Sequence, residues 1–217
     1  MRLKDRVAIV TGGSRGIGRA IAQALAREGA RLAVTATTLE GARAAAEELR
    51  SLGTDALPLV VDVSREDQVA SMVEQTTETF GRIDILVNNA AVNLPNRRIV
   101  DLSLQEWEWV LKVNLTGAFL CSRAVLPVMM RQRSGKIINI SSIGGRHGAY
   151  GRGPYRASKA GLINLTETLA AEAKEYGIDV NCICPGGVET DMMRQISQGN
   201  LPPRLMKPEE VAAVVHY

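Results

Sequence analysis

The chain has 217 residues, of which 46% are hydrophobic and 23% charged, with a formal net charge of +3. These figures suit one globular domain over residues 1–217 with a full core, and exclude a disordered chain. The charge is mild and scattered, and no basic run carries interleaved aromatics, so no nucleic-acid partner is expected.

Val7-Ala8-Ile9-Val10 is a continuous apolar run, the pattern of a strand buried on both faces. Helical spacing follows from Ile17 to Glu28, with Ile21, Ala24 and Leu25 on one side and Gly29 as the stop. The turn between them reads Thr11-Gly12-Gly13-Ser14-Arg15-Gly16-Ile17-Gly18. Glycines there let the backbone turn tightly and let a pyrophosphate approach the free N–H groups of the helix start. The spacing is Gly-x-x-x-Gly-x-Gly, not the common Gly-x-Gly-x-x-Gly, and close strand–helix packing alone can also require glycine.

Arg31 to Thr35 is the next strand, and Leu39 to Leu52, closed by Gly53, the next helix. A carboxylate at the tip of this second strand would suit the ribose of NAD and repel a 2′-phosphate. The sequence offers Thr35-Ala36-Thr37-Thr38 instead, with Arg15 in the glycine turn as a phosphate partner. NADP(H) is therefore expected over NAD(H), against the plainer reading of Arg15 as a solvated cation.

Ala56 to Val61 is a strand, Glu66 to Phe80 a helix, and Ile83 to Val87 a strand. Asp62-Val63 and Asn88-Asn89-Ala90-Ala91 follow strands three and four. Ligands of open parallel sheets sit off the carboxyl ends of the strands, so both stretches should face a cofactor crevice. A helix cap at Asp62 and an ordinary Asn turn are the simpler alternatives. A long helix from about Ser103 to Arg131 follows, with bends expected at Gly117 and Pro127. Then come strand Lys136 to Ile140, helix Pro154 to Tyr176 and strand Ile178 to Cys184. Six strand–helix alternations without a hairpin signal predict an α/β fold with a doubly wound parallel sheet.

The fifth strand ends in Ser141-Ser142, and the following helix begins near Tyr155-Arg156-Ala157-Ser158-Lys159. Residues four apart on a helix are surface neighbours, so Tyr155 and Lys159 share a face. If Ser142 meets them, one site holds a proton donor, a charge to tune it and a hydroxyl to hold a carbonyl oxygen. An ammonium about 4 Å from the phenol contributes roughly 4 kcal/mol at an effective dielectric of 20, which would bring the phenol's pKa down toward neutrality. Ser141, one residue off, should point to the opposite face.

Cys182 and Cys184 share one face of a strand and read as small buried hydrophobes in a reducing cytosol. His147 has no companion at metal-ligand spacing, so no metal is expected. No apolar run approaches membrane-spanning length and no signal region opens the chain, so a cytoplasmic location is expected. Pro208-Glu209-Glu210-Val211 opens a last helix that the sequence leaves about two turns later, as though a terminal segment were missing.

In order, Thr11-Gly12-x-x-x-Gly16-Ile17-Gly18, Asn88-Asn89-Ala90, Asn114, Ser142, Tyr155-x-x-x-Lys159 and Pro185-Gly186 resemble the short-chain dehydrogenase/reductase family over nearly the whole chain. Thr35-Ala36-Thr37, Ile85 to Ala90 and Val188 to Met192 are most similar to its 3-oxoacyl-[acyl-carrier-protein] reductase group. The resemblance implies a Rossmann-type sheet of order 3-2-1-4-5-6, with the family's seventh strand absent. It implies reduction of a 3-oxoacyl thioester-like ketone, with Tyr155 as proton donor, Ser142 on the carbonyl oxygen, Lys159 on the nicotinamide ribose and Asn114 as a proton relay through water. It implies a cofactor held by Gly12, Ser14, Arg15, Gly16, Ile17, Gly18, Thr37, Asp62, Val63, Asn89, Ala90, Ala91, Tyr155, Lys159, Pro185, Gly186, Val188 and Thr190. It further implies a homo-oligomer, a dimer or tetramer. Ala91 stands where the family has Gly, and the substrate-covering segment from Asp191 to Lys207 is short.

Substrate contacts are expected from Gly144 to Arg152 and Gly187 to Met193, with Arg146, His147 and Arg152 as the polar candidates. Arg131, Arg133 and Lys136 could dock an acyl carrier protein, although such clusters are more often wet surface. A family dehydrogenase acting on a free alcohol, sugar or steroid is the alternative. A non-enzymatic dinucleotide sensor is a further one, disfavoured because binding alone does not require the Asn114, Ser142, Tyr155 and Lys159 set.

Overall fold

The apolar run Val7–Val10 is β1, and every one of its residues is buried, as expected for a strand covered on both faces. The computed structural model describes residues 1–197, 200–201 and 203–215. After β1 come α1 (Gly16–Arg27), β2 (Arg31–Ala36), α2 (Leu39–Ser51), β3 (Ala56–Val60), α3 (Glu66–Phe80) and β4 (Ile85–Asn88). The chain continues with α4 (Leu104–Leu111), α5 (Gly117–Gln132), β5 (Gly135–Ile140), α6 (Gly153–Ala173), β6 (Ile178–Ile183), α7 (Asp191–Ser197) and α8 (Pro208–Val215). All pairings are parallel, in the order β3-β2-β1-β4-β5-β6, as expected. Among the described residues the sheet has no seventh strand.

Alternation along each strand feeds two cores. Ala8 and Val10 of β1 face one side with Leu32, Val34, Ile85 and Val87, packed against α1, α2 and Ala212 of α8. Ile9 faces the other with Ala33, Leu86 and Ile137, under α3, α5 and α6. Local signals start the helices. Thr38 caps α2 by accepting a bond from the Gly41 amide at 3.2 Å. Ser103 and Glu106 form a reciprocal capping box on α4.

At the amino ends of the strands, the buried Asp84 carboxylate accepts bonds from Arg6 (2.7 Å), Arg82 (2.6 and 2.8 Å) and the Val7 amide (2.9 Å). Burial works against this carboxylate, but Arg82, the Val7 amide and Arg6 outweigh it and hold its pKa below the usual range.

The expected long helix is instead two helices joined by a widened π turn, Lys112–Thr116. The predicted bend at Gly117 marks where α-helical winding resumes, while Pro127 sits inside α5. The Gly117 position is close-packed: a Cβ there would meet Val63 Cγ2 at 2.7 Å. By length and composition Leu104–Gln132 could cross a bilayer, contrary to the sequence expectation. It is nevertheless a core helix, with Val110, Leu120, Cys121, Val125 and Met129 buried in the fold.

Asn88, expected at the cofactor crevice, turns inward. Its amide donates to Asn139 Oδ1 (2.8 Å) and Ser122 Oγ (3.0 Å), and Asn139 donates in turn to Thr166 Oγ1 (2.8 Å). The chain of bonds links β4, β5, α5 and α6, and a strand-end residue of even parity with Leu86 has no route to the crevice. The covering segment also departs from a plain loop, because Asp191–Ser197 is helical and Thr190 accepts the Met193 amide at 3.2 Å.

Candidate active site

The carboxyl ends of the strands converge on a cavity of about 660 Å³. Ser142, Ile143 and Gly144 after β5 form one wall, and Arg152, Tyr155 and Arg156 at the start of α6 another. Pro185 to Val188 after β6, with Met192, Met193 and Ile196 of α7, close it. Ile17 and Thr190 lie at its edge beside the glycine turn, which places a nucleotide-binding signature and a phenol around one space.

That turn is tightly fixed. Gly12 and Gly16 have φ of +61° and +55°, the left-handed region that side chains avoid. Asn89 Nδ2 donates to the Thr11 and Gly12 carbonyls at 2.9 and 3.1 Å. Thr11 Oγ1 accepts the amides of Asn89 and Ala90 at 3.0 and 3.1 Å. A Cβ on Gly18 would meet Gly12 O at 2.3 Å and Asn89 Nδ2 at 2.4 Å, so only glycine fits. Arg15 precedes α1 in extended backbone with an exposed side chain, and Thr37 is exposed at the tip of β2. Ser14 lies near Gly41, half-buried. Asp62 is exposed, its carboxylate accepting the Ser64 amide at 2.9 Å, which is a turn and not a cap of α3. Val63 is buried beneath Gly117, and Ala91 is half-buried. No acid stands at the tip of β2, so the donor set fits a phosphorylated ribose better than a free one.

Ser142 and Tyr155 line the same cavity, as expected, with the Ser142 hydroxyl near enough to the phenol to favour its ionised form, and the Ser142 oxygen accepts the Gly144 amide at 3.0 Å. Ser141 turns away and donates to the Lys159 carbonyl at 2.8 Å. Lys159 lies beside Tyr155, its ammonium 5.7 Å from the ring centre, but it donates to the Ile140 carbonyl at 2.7 Å. The expected depression of the phenol's pKa is therefore corrected. Burial pushes Tyr155 up, and Ser142, Arg152 and Arg156 only partly offset it. The cations acting on the phenol are the two arginines. Lys159 is itself pushed down to about 8 by burial, with Cys182 and Cys184 opposing.

Asn114 lies in the π turn, buried. Its side chain accepts the Val92 amide at 2.8 Å and donates to the Val92 carbonyl at 2.9 Å and to Ser158 Oγ at 3.2 Å. With those bonds made, the side chain clamps the loop after β4 to α6. It lines a small interior space with Lys159, Ala90 and Val63.

Of the polar substrate candidates, Arg152 lines the cavity while Arg146 and His147 are exposed outside it. Arg156 was not foreseen, although its place directly after Tyr155 in the first turn of α6 was a usable signal. The Arg131, Arg133 and Lys136 cluster lies at the amino end of β5. There Lys136 pairs with Asp179 at 2.7 Å and Arg133 sits over the Tyr176 ring. Six strand residues, about 20 Å, separate that end from Ser142, so the cluster does not border the cavity. Among the described residues no three His, Cys, Asp or Glu side chains gather as metal ligands would.

The family model described as "short chain dehydrogenase" matches residues 6–201. The 3-oxoacyl-[acyl-carrier-protein] reductase of Synechocystis is 39% identical over 99% of this chain and 89% of that protein. The enzyme of the same name in Escherichia coli is 41% identical over 91% of this chain and 79% of its own length. Among solved structures, levodione reductase superposes with a TM-score of 0.94 at 36% identity, covering 99% of this chain and 90% of the other. With its sheet order, glycine turn and Ser142–Tyr155 pairing already in view, the chain belongs to the short-chain dehydrogenase family of oxidoreductases, which use a nicotinamide dinucleotide.

Proposed function

We propose that the protein reduces a 3-oxoacyl thioester-like ketone to a secondary alcohol with NADPH. The observation that carries this reading is the meeting of Ser142 and Tyr155 in one cavity, edged by the glycine turn. The names of the relatives support the thioester class.

When bound, the dinucleotide supplies a hydride to the carbonyl carbon. Gly12, Gly16 and Gly18 would admit its pyrophosphate, Arg15 and Thr37 would favour the 2′-phosphate, and Pro185, Gly186, Val188 and Thr190 would hold the nicotinamide end. Tyr155 supplies the proton to the carbonyl oxygen as the C=O π pair moves onto that oxygen. Its raised pKa keeps it protonated at neutral pH, the form a reductase needs. Ser142 hydrogen-bonds the same oxygen and stabilises its developing charge. Lys159 holds its charge only below about pH 8, and it anchors the floor of the site through Ile140. The exposed apolar side chains Ile99, Val100, Leu104, Trp109 and Phe119 support association into a homo-oligomer.

The test is Tyr155→Phe with Thr37→Asp as a second variant. Tyr155→Phe is expected to lose about 10²-fold or more of ketone reduction while still binding NADPH. Thr37→Asp should shift cofactor preference toward NADH through repulsion of the 2′-phosphate. Reduction by Tyr155→Phe within a few-fold of wild type defeats the proton-donor assignment.

A further inference from the structure

The cavity has an uncompensated charge. Among the described residues its lining includes two guanidiniums, Arg152 and Arg156, and no Asp, Glu or Lys. Arg156 donates to the His147 carbonyl, a neutral acceptor. The Arg152 side chain hydrogen-bonds to no group and pairs with no carboxylate among the described residues, although it is half-buried. Arg97, whose backbone bridges to that of Arg152, takes the Glu106 carboxylate for itself. Burial and the like charge of Arg156 both push the Arg152 guanidinium down, with only Tyr155 favouring its charged form. Two partly desolvated like charges without a counter-ion are costly, and a bound anion relieves that cost.

Resting on the ketone-reductase reading above, we propose that Arg152 and Arg156 form an anion seat. The ketone substrate carries a carboxylate or phosphate that these two guanidiniums hold while its carbonyl faces Tyr155 and Ser142. Arg152, the residue that precedes α6, and Tyr155 in its first turn line the same cavity, so the anion and the reacting carbonyl share one space. Ile143, Val188, Met192, Met193 and Ile196 give the same cavity an apolar side for an alkyl chain. The electron and proton movements are those already assigned, and the arginines act on binding and selection. The shared chemistry has two sources. One is the carboxylate of a short oxo acid, a bond or two from its ketone, and the other is the phosphate of a thioester carrier, whose long arm must fold back to bring phosphate and ketone into this space.

NADPH oxidation is compared with acetoacetate, its ethyl ester, its N-acetylcysteamine thioester (no phosphate) and its coenzyme A thioester, for wild type, Arg152→Gln and Arg156→Gln. In parallel, calorimetry measures 3-hydroxybutyrate against 3-hydroxybutyramide on protein saturated with NADP⁺. A charge-assisted pair should favour the anionic member by about tenfold or more in kcat/KM or in Kd. That preference should shrink toward unity in the arginine variants. Acetoacetate over its ester assigns the seat to a substrate carboxylate. Coenzyme A thioester over its phosphate-free counterpart, lost in the variants, assigns it to an arm phosphate. Equal rates within both pairs, or a preference untouched by either substitution, overturns the proposal. If no ketone is reduced, the reductase reading fails by itself. The calorimetry then decides the seat, which falls if acid and amide bind alike.

Discussion

Lys159→Met isolates the consequence of burying an ammonium under the active site. Lys159 is 3% exposed, its ammonium bonded among the described residues only to the Ile140 carbonyl, and its pKa lies near 8 against an ordinary 10.5. The unfolded chain therefore binds more protons than the native one between those values, and stability must rise with pH across that window. Below pH 8 the full penalty of about 3 kcal/mol for keeping the charge is present, and it is relieved as pH climbs toward 10.5. From pH 7 to 9.5 the wild type should gain about 2 kcal/mol relative to Lys159→Met, in which the titration is absent. At pH 7 itself the variant loses a hydrogen bond and leaves a carbonyl unpaired, about 1–3 kcal/mol, which largely offsets the relief. The assay is urea unfolding of both cofactor-free proteins at pH 7 and 9.5, where shared titrations cancel in the difference. Parallel pH dependence of the two, within about 0.5 kcal/mol, would refute the buried-ammonium reasoning.

Gly18→Ala forces a methyl within 2.3 Å of the Gly12 carbonyl, a clash with backbone that cannot swing aside. It should destabilise by about 1–3 kcal/mol and weaken NADPH binding, read by thermal melts and nucleotide fluorescence titration. Asp84→Asn leaves Arg6 and Arg82 facing a neutral amide at the other end of the sheet, and because both guanidiniums stay partly in water a loss of about 1–3 kcal/mol in urea unfolding is expected. Because the Asp84 pKa is depressed, its contribution is present above the ordinary carboxylate pKa near 4 and disappears as pH falls through the native value. The gap between Asp84→Asn and wild type should narrow accordingly below pH 4.

Much of the fold was legible because buried parallel strands carry their signature in short apolar runs such as Val7–Val10 and Ile137–Ile140. Glycine stops at Gly29, Gly53 and Gly81 punctuated the helices between them, each in the left-handed region. The placing of Ser142 with Tyr155 in one cavity, and the bond of Ser141 to the Lys159 carbonyl instead, followed from strand parity and helix spacing. What could not be read was the direction of long or polar side chains. Spacing puts Lys159 on the face of Tyr155, yet the nearest acceptor in the dry interior is the Ile140 carbonyl, and that contact spans 19 residues. Asn88 likewise answers to Ser122 and Asn139, which only the packed sheet brings near. The π turn was invisible because Lys112-Val113-Asn114-Leu115-Thr116 contains neither glycine nor proline, and the turn goes with long-range bonds from Asn114 to Val92 and Ser158 that local sequence does not show.

That widened turn holds one residue more than a regular helix of equal rise requires. Deleting a single residue between Lys112 and Thr116 would let uninterrupted α-helical bonding run from Leu104 to Gln132, a more regular segment by every local criterion. The same deletion would swivel one side of the cut by about 100° against the other. Either Val110 would leave the core or Gly117 would leave its close contact with Val63. The shorter chain should thus gain helix and lose protein, which makes this surplus residue an insertion that the surrounding architecture will not release.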